Sequence, residues 1–216
     1  MKIITNLKKG YRQIFPDYLT ELKEVIGDTK TLLDVGCGSN SPVQFLSPKI
    51  KTTGIDAFEP SLNESKARKI HQEYVLDNVL SINNHFTPHS FETVVALDLI
   101  EHLKKGEAES LINKMESIAT TKVVIFTPNG FLPQGEFANN THQVHLSGWS
   151  VNDLRIRGYR VVGVNGLKCL RGEFAAIKFW PRMIWLVISD LTQLITRSYP
   201  QLAFQLLAIK DISSVR

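Results

Sequence analysis

Two aspartates and two glycines form the part of this sequence best suited to hold a ligand. The run LLDVGCGSNSP, residues 32–42, carries apolar residues, then Asp34, then a loop with Gly36 and Gly38. Glycines adopt backbone conformations that other residues avoid, and they let a ligand approach the main chain closely. Asp56 follows twenty residues after Gly36, a spacing at which an acid can accept hydrogen bonds from both hydroxyls of a ribose.

The loop departs from the glycine pattern of dinucleotide-binding sites. Such sites use GxGxxG, in which the third glycine lets a pyrophosphate lie on the N-terminus of the following helix. Here Ser41 stands where the third glycine would be, and Pro42 follows it. A carboxylate at Asp34 would also repel a pyrophosphate. The loop therefore disfavours an NAD-dependent dehydrogenase and favours a cationic ligand.

The elements that must position these residues alternate between strands and helices. Short apolar runs predict strands at 31–36, 51–58, 73–79, 93–97, 122–130, 159–168 and 202–210. Helical spacing of apolar residues predicts helices over 16–27, 106–119 and 148–158. Strands that are almost entirely apolar indicate a mostly parallel sheet covered on both faces. We therefore expect an α/β fold, with a Rossmann-like, doubly wound sheet of seven strands and a helical insert before the last strand.

Five blocks of the sequence, in this order, resemble motifs I to V of class I S-adenosylmethionine-dependent methyltransferases: LLDVGCGS, GIDAF, YVLDNV, FETVVALDLIEHL and KVVIFTPNG. The resemblance covers about residues 20–170. It is closer to the subgroup that includes the ubiquinone-biosynthesis O-methyltransferases, of methyltransferase type 11 or 23. It implies an enzyme that moves a methyl group from S-adenosylmethionine to an oxygen or nitrogen of a small, glycan or lipid-linked acceptor. The alternative is a non-catalytic S-adenosylmethionine-binding protein that docks a partner through its hydrophobic tail.

The resemblance also implies which residues bind the cofactor. All of them lie at the ends of the first four predicted strands: Asp34, Gly36, Cys37, Gly38, Asp56, Ala57, Phe58, Asp77, Asn78, Leu97 and Asp98. Asp34, Gly36 and Gly38 would line the methionine part of the cofactor. Cys37 would be a small packed residue and not a nucleophile. Asp56 would hold the ribose hydroxyls, with Ala57 and Phe58 beside the adenine. Asp77 would meet the adenine amino group, with Asn78 adjacent. Leu97 and Asp98 would close over the methionine end.

Histidines supply the predicted catalytic residues. His102 follows the fourth strand, and His142 and His145 lie in the later run NNTHQVHLSGWS. A histidine can act as a general base at neutral pH. The DxxEH run from Asp98 to His102 also resembles the ExxEH metal ligands of some related methyltransferases, but an aspartate in the first position has a shorter reach, so we predict no metal. The third interpretation is that Glu101 and His102 brace the cofactor pocket.

The apolar segment 174–200 is a departure from a fold in which the last two strands are usually joined tightly. Its run from Ile184 to Ile195 is too short to span a bilayer. Basic residues flank two tryptophans in this segment, as they do in interfacial helices. Three alternatives remain open: a lid over the substrate pocket, packing on the core or on a second copy in a homodimer, and contact with a membrane surface.

Length and composition limit the remaining function classes. The 216 residues suit a single methyltransferase domain over 1–216, with a cofactor-binding core at about 20–170 and a helical insert at about 174–200. The net charge is +4 with scattered basic residues, so we expect no nucleic-acid partner. The two cysteines are far apart, and the N-terminus lacks the apolar region of a signal peptide. We therefore expect a cytoplasmic protein acting on a small-molecule or lipid-linked acceptor.

Overall fold

A computed structural model describes residues 17–135, 141–172 and 175–212. These residues form a seven-stranded sheet in the order β3-β2-β1-β4-β5-β7-β6. The strands are β1 (Thr31–Val35), β2 (Lys51–Asp56), β3 (Glu73–Leu76), β4 (Phe91–Leu97), β5 (Ala119–Pro128), β6 (Arg160–Leu167) and β7 (Ala203–Asp211). Strands β1 to β5 run parallel, and β7 lies antiparallel between β5 and β6. The predicted α/β, Rossmann-like sheet is confirmed.

Five helices accompany the sheet in the described part of the chain. They are α1 (Tyr18–Ile26), α2 (Glu59–Ala67), α3 (Lys105–Ile118), α4 (Val151–Ile156) and α5 (Arg182–Thr196). The sequence pattern does not predict α2, because only Leu62 and Ser65 of its nine residues are buried. Two ends of predicted segments, Pro16 and Phe174, lie outside the described residues. None of the described helices is long and apolar enough to cross a membrane.

The sheet has a hydrophobic core on each of its two faces, as the burial of β1 shows. Leu32 and Leu33 are both fully buried, although successive side chains of a strand point to opposite faces. Leu33 packs with the residues of α3, including Leu111, whereas Leu32 packs with Leu22 of α1. A strand buried on both faces is apolar at consecutive positions, and this is the pattern that the sequence carries.

Helix α5 joins the sheet through polar contacts at the edge strand β6. Its buried residues are Ser189, Gln193 and Thr196. The Gln193 side chain accepts a hydrogen bond from Gly166 N (3.0 Å) and donates one to Gly163 O (2.9 Å). The two glycines allow this approach, because a Cβ at either position would overlap main-chain oxygens of α5. The helix is therefore held in place by hydrogen bonds to a glycine-containing strand.

We predict that Gly163→Ala lowers the free energy of unfolding by about 1–3 kcal/mol, the usual cost of overpacking. The added methyl would lie 2.6 Å from Ala203 Cβ and closer still to Thr196 O. Gly106→Ala is the matched control, because a Cβ there has no heavy atom within 4 Å. In a helix this exchange leaves stability unchanged or raises it by up to about 1 kcal/mol. Urea unfolding measures both, and equal stabilities would contradict the proposed contact.

Candidate active site

The glycine loop after β1 is fixed to the neighbouring strand β2. Gly36 N and Cys37 N both donate hydrogen bonds to Ile55 O, at 2.8 and 3.1 Å. Gly36 has a φ of 70°, and a Cβ there would lie 2.5 Å from Leu99 Cδ1. Both the backbone angle and the close approach require glycine at this position. The loop therefore stays in one conformation at the carboxyl end of the sheet.

Asp56 ends β2 and holds the same loop from the other side. Its Oδ2 accepts a hydrogen bond from Gly38 N (2.8 Å), and its Oδ1 accepts one from Phe58 N (2.8 Å). A carboxylate oxygen can accept more than one hydrogen bond, so both oxygens keep capacity for further donors. Asp56 is thus positioned, before any ligand arrives, to receive a pair of hydroxyl groups.

The loop and Asp56 border a cleft of about 290 Å³ at the carboxyl ends of β1, β2 and β4. Eight of the predicted site residues line it: Gly36, Gly38, Asp56, Ala57, Asn78, Asp98, His102 and His142. Sequence reasoning missed a further set that lines it: Ser61, Val79, Leu80, Leu99, Leu103, Glu107, Gln143 and Leu146. Several of these residues immediately follow predicted ones along the chain. That adjacency is the signal that could have identified them.

Asp34, predicted to face the methionine part, does not line the cleft. Its side chain is buried beneath the loop, where Oδ2 accepts a hydrogen bond from Ser41 Oγ at 2.5 Å. His71 Nε2 lies 3.3 Å from the same oxygen, close enough for an ion pair but not aligned as a hydrogen bond. Cys37 is also buried, and burial raises the pKa of its thiol, so the thiol stays protonated. Both residues hold the loop in place.

Three other predicted residues are also absent from the cleft lining. Asp77 binds His85, with 2.5 Å between Oδ2 and Nε2, and this hydrogen bond, followed by that from Asn78 N, lowers the pKa of Asp77. Leu97 belongs to the core on the α1 side of the sheet, and Phe58 precedes α2. The carboxylate of Asp77 is thus already hydrogen-bonded within the chain, and its predicted contact with the adenine stays a prediction.

A second cavity of about 500 Å³ lies beside the cleft. It shares three lining residues with the cleft: Asp98, His102 and Gln143. Its other walls are contributed from distant parts of the chain: Tyr18, Glu101, Phe126, Pro128, Leu132, Gln134, His145, Asn165, Ala175, Phe204 and Gln205. The Tyr18 ring stacks on that of Phe126, with 3.9 Å between centroids. The two spaces therefore meet at these three residues, which together with the adjacent Glu101 and His145 we call the polar wall.

Two carboxyl groups occupy that wall. Asp98 has a φ of 53°, and its Oδ1 accepts a hydrogen bond from Gln205 Nε2 at 3.2 Å. Glu101 is buried, and its Oε2 accepts one from Thr127 Oγ1 at 2.9 Å. Asp98 lies deep among protein atoms but is open to the two cavities, and this burial raises its pKa to about 7. Burial and the nearby charge of Asp98 also hold the pKa of Glu101 well above its usual range.

His102 and His145 face each other across the same wall, with 4.7 Å between ring centroids. His145 Nδ1 lies 2.6 Å from Leu132 O, and His102 Nδ1 lies 3.3 Å from Val144 O. Because a carbonyl can only accept, each Nδ1 carries the proton and each Nε2 is left as an acceptor. Burial lowers the pKa of His145, and burial with the nearby His145 lowers that of His102 to about 4. Both rings are neutral at physiological pH.

The same wall contains a set of side chains that a metal ion could use. Glu101, His102 and His145 each offer a ligand atom, and these atoms lie within 4.8 Å of one another. Nδ1 bonds to main-chain carbonyls orient histidines in metal sites as well as in metal-free ones. The prediction of no metal stays a prediction, and the metal alternative stays open beside it.

The cleft has the features that S-adenosylmethionine requires. Gly38 has a φ of 54°, and a Cβ there would meet no heavy atom within 4 Å, so the loop backbone is open on that side. Asp56 can receive the ribose hydroxyls, and Val79 and Leu80 offer an apolar surface for the adenine ring. Asp98 supplies a carboxyl group for a sulfonium cation. The residues present fit this cofactor.

The comparisons with known proteins agree with the fold. A family profile described as "Methyltransferase domain" matches residues 33–120. No curated protein matches the chain in sequence. The chain therefore contains a methyltransferase domain, and S-adenosylmethionine is the cofactor of this domain.

Solved structures resemble this fold over nearly the whole chain. A SAM-dependent methyltransferase from Archaeoglobus fulgidus shares 15% identity over 93% of this chain and 97% of its own, with a TM-score of 0.57. The PH0226 protein from Pyrococcus horikoshii OT3 shares 12% identity over 94% of this chain and 91% of its own, with a TM-score of 0.59. The plantazolicin methyltransferase BamL was solved with a triazolic desmethylPZN analog and SAH. It shares 14% identity over 96% of this chain and 90% of its own, with a TM-score of 0.52.

We predict that Asp56→Ala weakens S-adenosylhomocysteine binding by about 1–3 kcal/mol, because the ribose hydroxyls lose their acceptor. The loop also loses the bond to Gly38 N. Calorimetric titration measures the affinity. Asp28→Ala, an exposed acid in the turn before β1, is the matched control and should bind as the wild type does. Unchanged affinity in Asp56→Ala would remove the ribose assignment.

We predict that the affinity for S-adenosylmethionine, relative to S-adenosylhomocysteine, rises as the pH rises through about 7. Asp98 loses its proton over this range, and its carboxylate then attracts the sulfonium cation, whereas the thioether carries no such charge. Solvent in the cavities screens the charge, so we expect a change of about twofold to fivefold.

Asp98→Asn is the control for this pH dependence, because the amide keeps the shape of the side chain and does not titrate. The ratio of the two affinities should then be independent of pH between about 6 and 8. A wild-type ratio that does not change across this range would contradict the assigned role of Asp98.

Proposed function

We propose that this methyltransferase acts on a hydroxyl or amine group of a small, non-anionic acceptor that binds in the larger cavity. The observation that carries the proposal is the wall common to both spaces, where Asp98, His102 and Gln143 line the cofactor cleft and the larger cavity together. An acceptor in the larger cavity would present its nucleophilic atom to the cofactor at this wall. Methyl transfer is an in-line displacement, so bringing the two reactants together in this way supplies much of the rate.

The charges of the larger cavity favour this class of acceptor. Its described lining contains carboxyl groups, at Asp98 and Glu101, and contains neither lysine nor arginine. A phosphate or carboxylate in the acceptor would lose its hydration in this cavity without a lysine or arginine to compensate, which is costly in a partly buried site. A neutral hydroxyl or an amine meets no such penalty.

The apolar walls of the cavity favour a flat organic group on the acceptor. The stacked rings of Tyr18 and Phe126 lie on one side, and Phe204 also lines the cavity. Aromatic side chains bury large apolar areas and contact planar groups well. Gln143, which lines both spaces, offers a polar side chain to orient the rest of the molecule.

Residues of the polar wall can hold and accept the proton that the acceptor releases. The cofactor, when bound, supplies a methyl group on a positively charged sulfur. His145 Nε2 is left as an acceptor, because Nδ1 donates to Leu132 O. His145 is the better proton acceptor of the two histidines, since the pKa of His102 is lowered to about 4.

We predict that His145→Asn lowers turnover by about 10²-fold, the lower range for the loss of a general base. S-adenosylhomocysteine affinity should not change, because His145 lines the larger cavity and not the cofactor cleft. His89→Asn is the matched control, since His89 lies at the opposite end of β4. S-adenosylhomocysteine formation with a panel of phenols, alcohols and amines measures turnover.

Two outcomes of this assay would contradict the proposal. Turnover with anionic acceptors only would overturn the charge argument. Turnover that is unchanged in His145→Asn would remove the base. A chelator that abolishes wild-type turnover, with recovery on addition of a divalent ion, would assign the histidines to a metal instead.

A further inference from the structure

Helix α5 is amphipathic in the reverse of the usual sense. The side chains that it buries against β6 are polar, namely Ser189, Gln193 and Thr196. The side chains on its other face are apolar and exposed: Met183, Ile184, Val187, Leu191, Leu194 and Ile195. A surface helix of a globular protein normally turns its apolar stripe toward the core. Here that stripe, which we call the outer face of α5, points into solvent.

The hydrogen bonds of the inner face show that this orientation is built into the fold. Gln193 bonds the main chain at Gly163 and Gly166, and the Ser189 hydroxyl donates to Asn165 O at 3.3 Å. Thr192 Oγ1 accepts from Leu167 N at 3.0 Å. Rotating the helix to bury the outer face would break all of these bonds. The outer face is therefore a permanent exposed surface.

Aromatic residues extend the outer face at the start of the helix. Trp180 is 85% exposed, and Phe179 is also exposed. The Phe179 ring lies 4.9 Å from that of Trp185. Tryptophan is enriched where apolar and polar surroundings meet, because its ring is apolar and its N–H is polar. This end of the helix has the composition of an interfacial anchor.

The charges around the outer face are basic. Lys178 and Arg182 are exposed beside the tryptophans. Asp190 is the one acid in α5, and it lies 3.9 Å from Arg171 on the flank of the helix. A two-fold interface would place this face against its own copy, and the described residues of the segment offer no exposed acid there to pair with these bases. Anionic lipid headgroups supply the complementary charge.

We propose that the outer face of α5 docks the enzyme on the surface of an anionic lipid membrane. The helix would lie in the plane of the interface, with Leu191 and its neighbours in the acyl region and Lys178 and Arg182 at the headgroups. The proposal rests on α5 alone and does not depend on the acceptor.

The geometry also links this surface to the larger cavity. Asn165 lines that cavity, and its carbonyl accepts the Ser189 hydroxyl of α5. Ala175, in the segment leading to α5, lines the cavity as well. Docking through α5 would thus bring one wall of the acceptor cavity near the membrane surface.

Flotation of the full-length chain with lipid vesicles tests the proposal. We expect the protein to float with vesicles of phosphatidylglycerol and phosphatidylcholine and much less with phosphatidylcholine alone. Binding should weaken as salt rises from about 0.1 M to 0.5 M, because salt screens the headgroup charge. Fluorescence of the exposed tryptophans should shift to shorter wavelength on binding.

Leu191→Glu should reduce the bound fraction by about tenfold, because a charge replaces an apolar contact at the centre of the face. The matched control is Ile156→Glu, the same kind of exchange at a side chain of α4 that is 78% exposed. Lys178→Glu together with Arg182→Glu should remove the preference for anionic vesicles. Unchanged S-adenosylhomocysteine affinity shows that each variant is folded.

Three results would overturn the proposal. The first is no flotation with anionic vesicles, and the second is an equal loss in Leu191→Glu and Ile156→Glu. The third is a dimer in sedimentation velocity that Leu191→Glu dissociates while vesicles bind neither form. That result would assign the outer face to a second copy of the chain.

Discussion

Parallel pairing of β1 with both β2 and β4 is the constraint on which the site depends. The carboxyl ends of these three strands meet at one edge of the sheet, so residues that follow them converge there although they are far apart in sequence. Gly36 follows β1, Asp56 ends β2 and Asp98 follows β4. A slip of one residue in either pairing would turn every side chain of the slipped strand to the opposite face. The apolar burial of β1 on both faces fixes the register and, with it, the site.

The polar groups near the site show how the interior stabilises a fixed arrangement. Each buried oxygen or nitrogen costs free energy unless it finds a partner. Three hydrogen bonds do this near the site. Asp34 accepts one from Ser41 beneath the loop, Glu101 accepts one from Thr127, and His145 donates one to Leu132 O. These bonds keep the loop and the polar wall in place without a ligand, which is the positioning that methyl transfer needs.

The insert before β7 is attached in a way that leaves the rest of the fold undisturbed. It adds α5 to the edge strand β6, while β7 still pairs with β5 and β6. Polar contacts hold the inner face of α5 against β6, so the outer face is not needed to attach the helix to the sheet. The lid interpretation of the whole insert receives little support, since Ala175 is its one described residue that lines either the cofactor cleft or the larger cavity.

The sequence by itself determined the alternation of strands and helices, the glycine loop, and Asp56 as the acid after β2. These features are local, because apolar periodicity and glycine spacing are read within one short segment. It did not predict α2, whose exposed residues give no periodicity, and it placed Asp34 in the cleft although its carboxylate lies under the loop. The error at Asp34 concerns side-chain direction at the end of a strand, which a residue pattern does not encode.

Only the tertiary structure decided the polar wall, the larger cavity and the orientation of α5. The cavity joins Tyr18 to Phe126 and Gln205, contacts that depend on where α1, β5 and β7 lie in the sheet. The sequence of α5 shows an apolar stripe and a polar stripe, and either could have faced the protein. Gly163 and Gly166 decided between them, because they let the main chain of β6 approach close enough for the Gln193 amide to bond it.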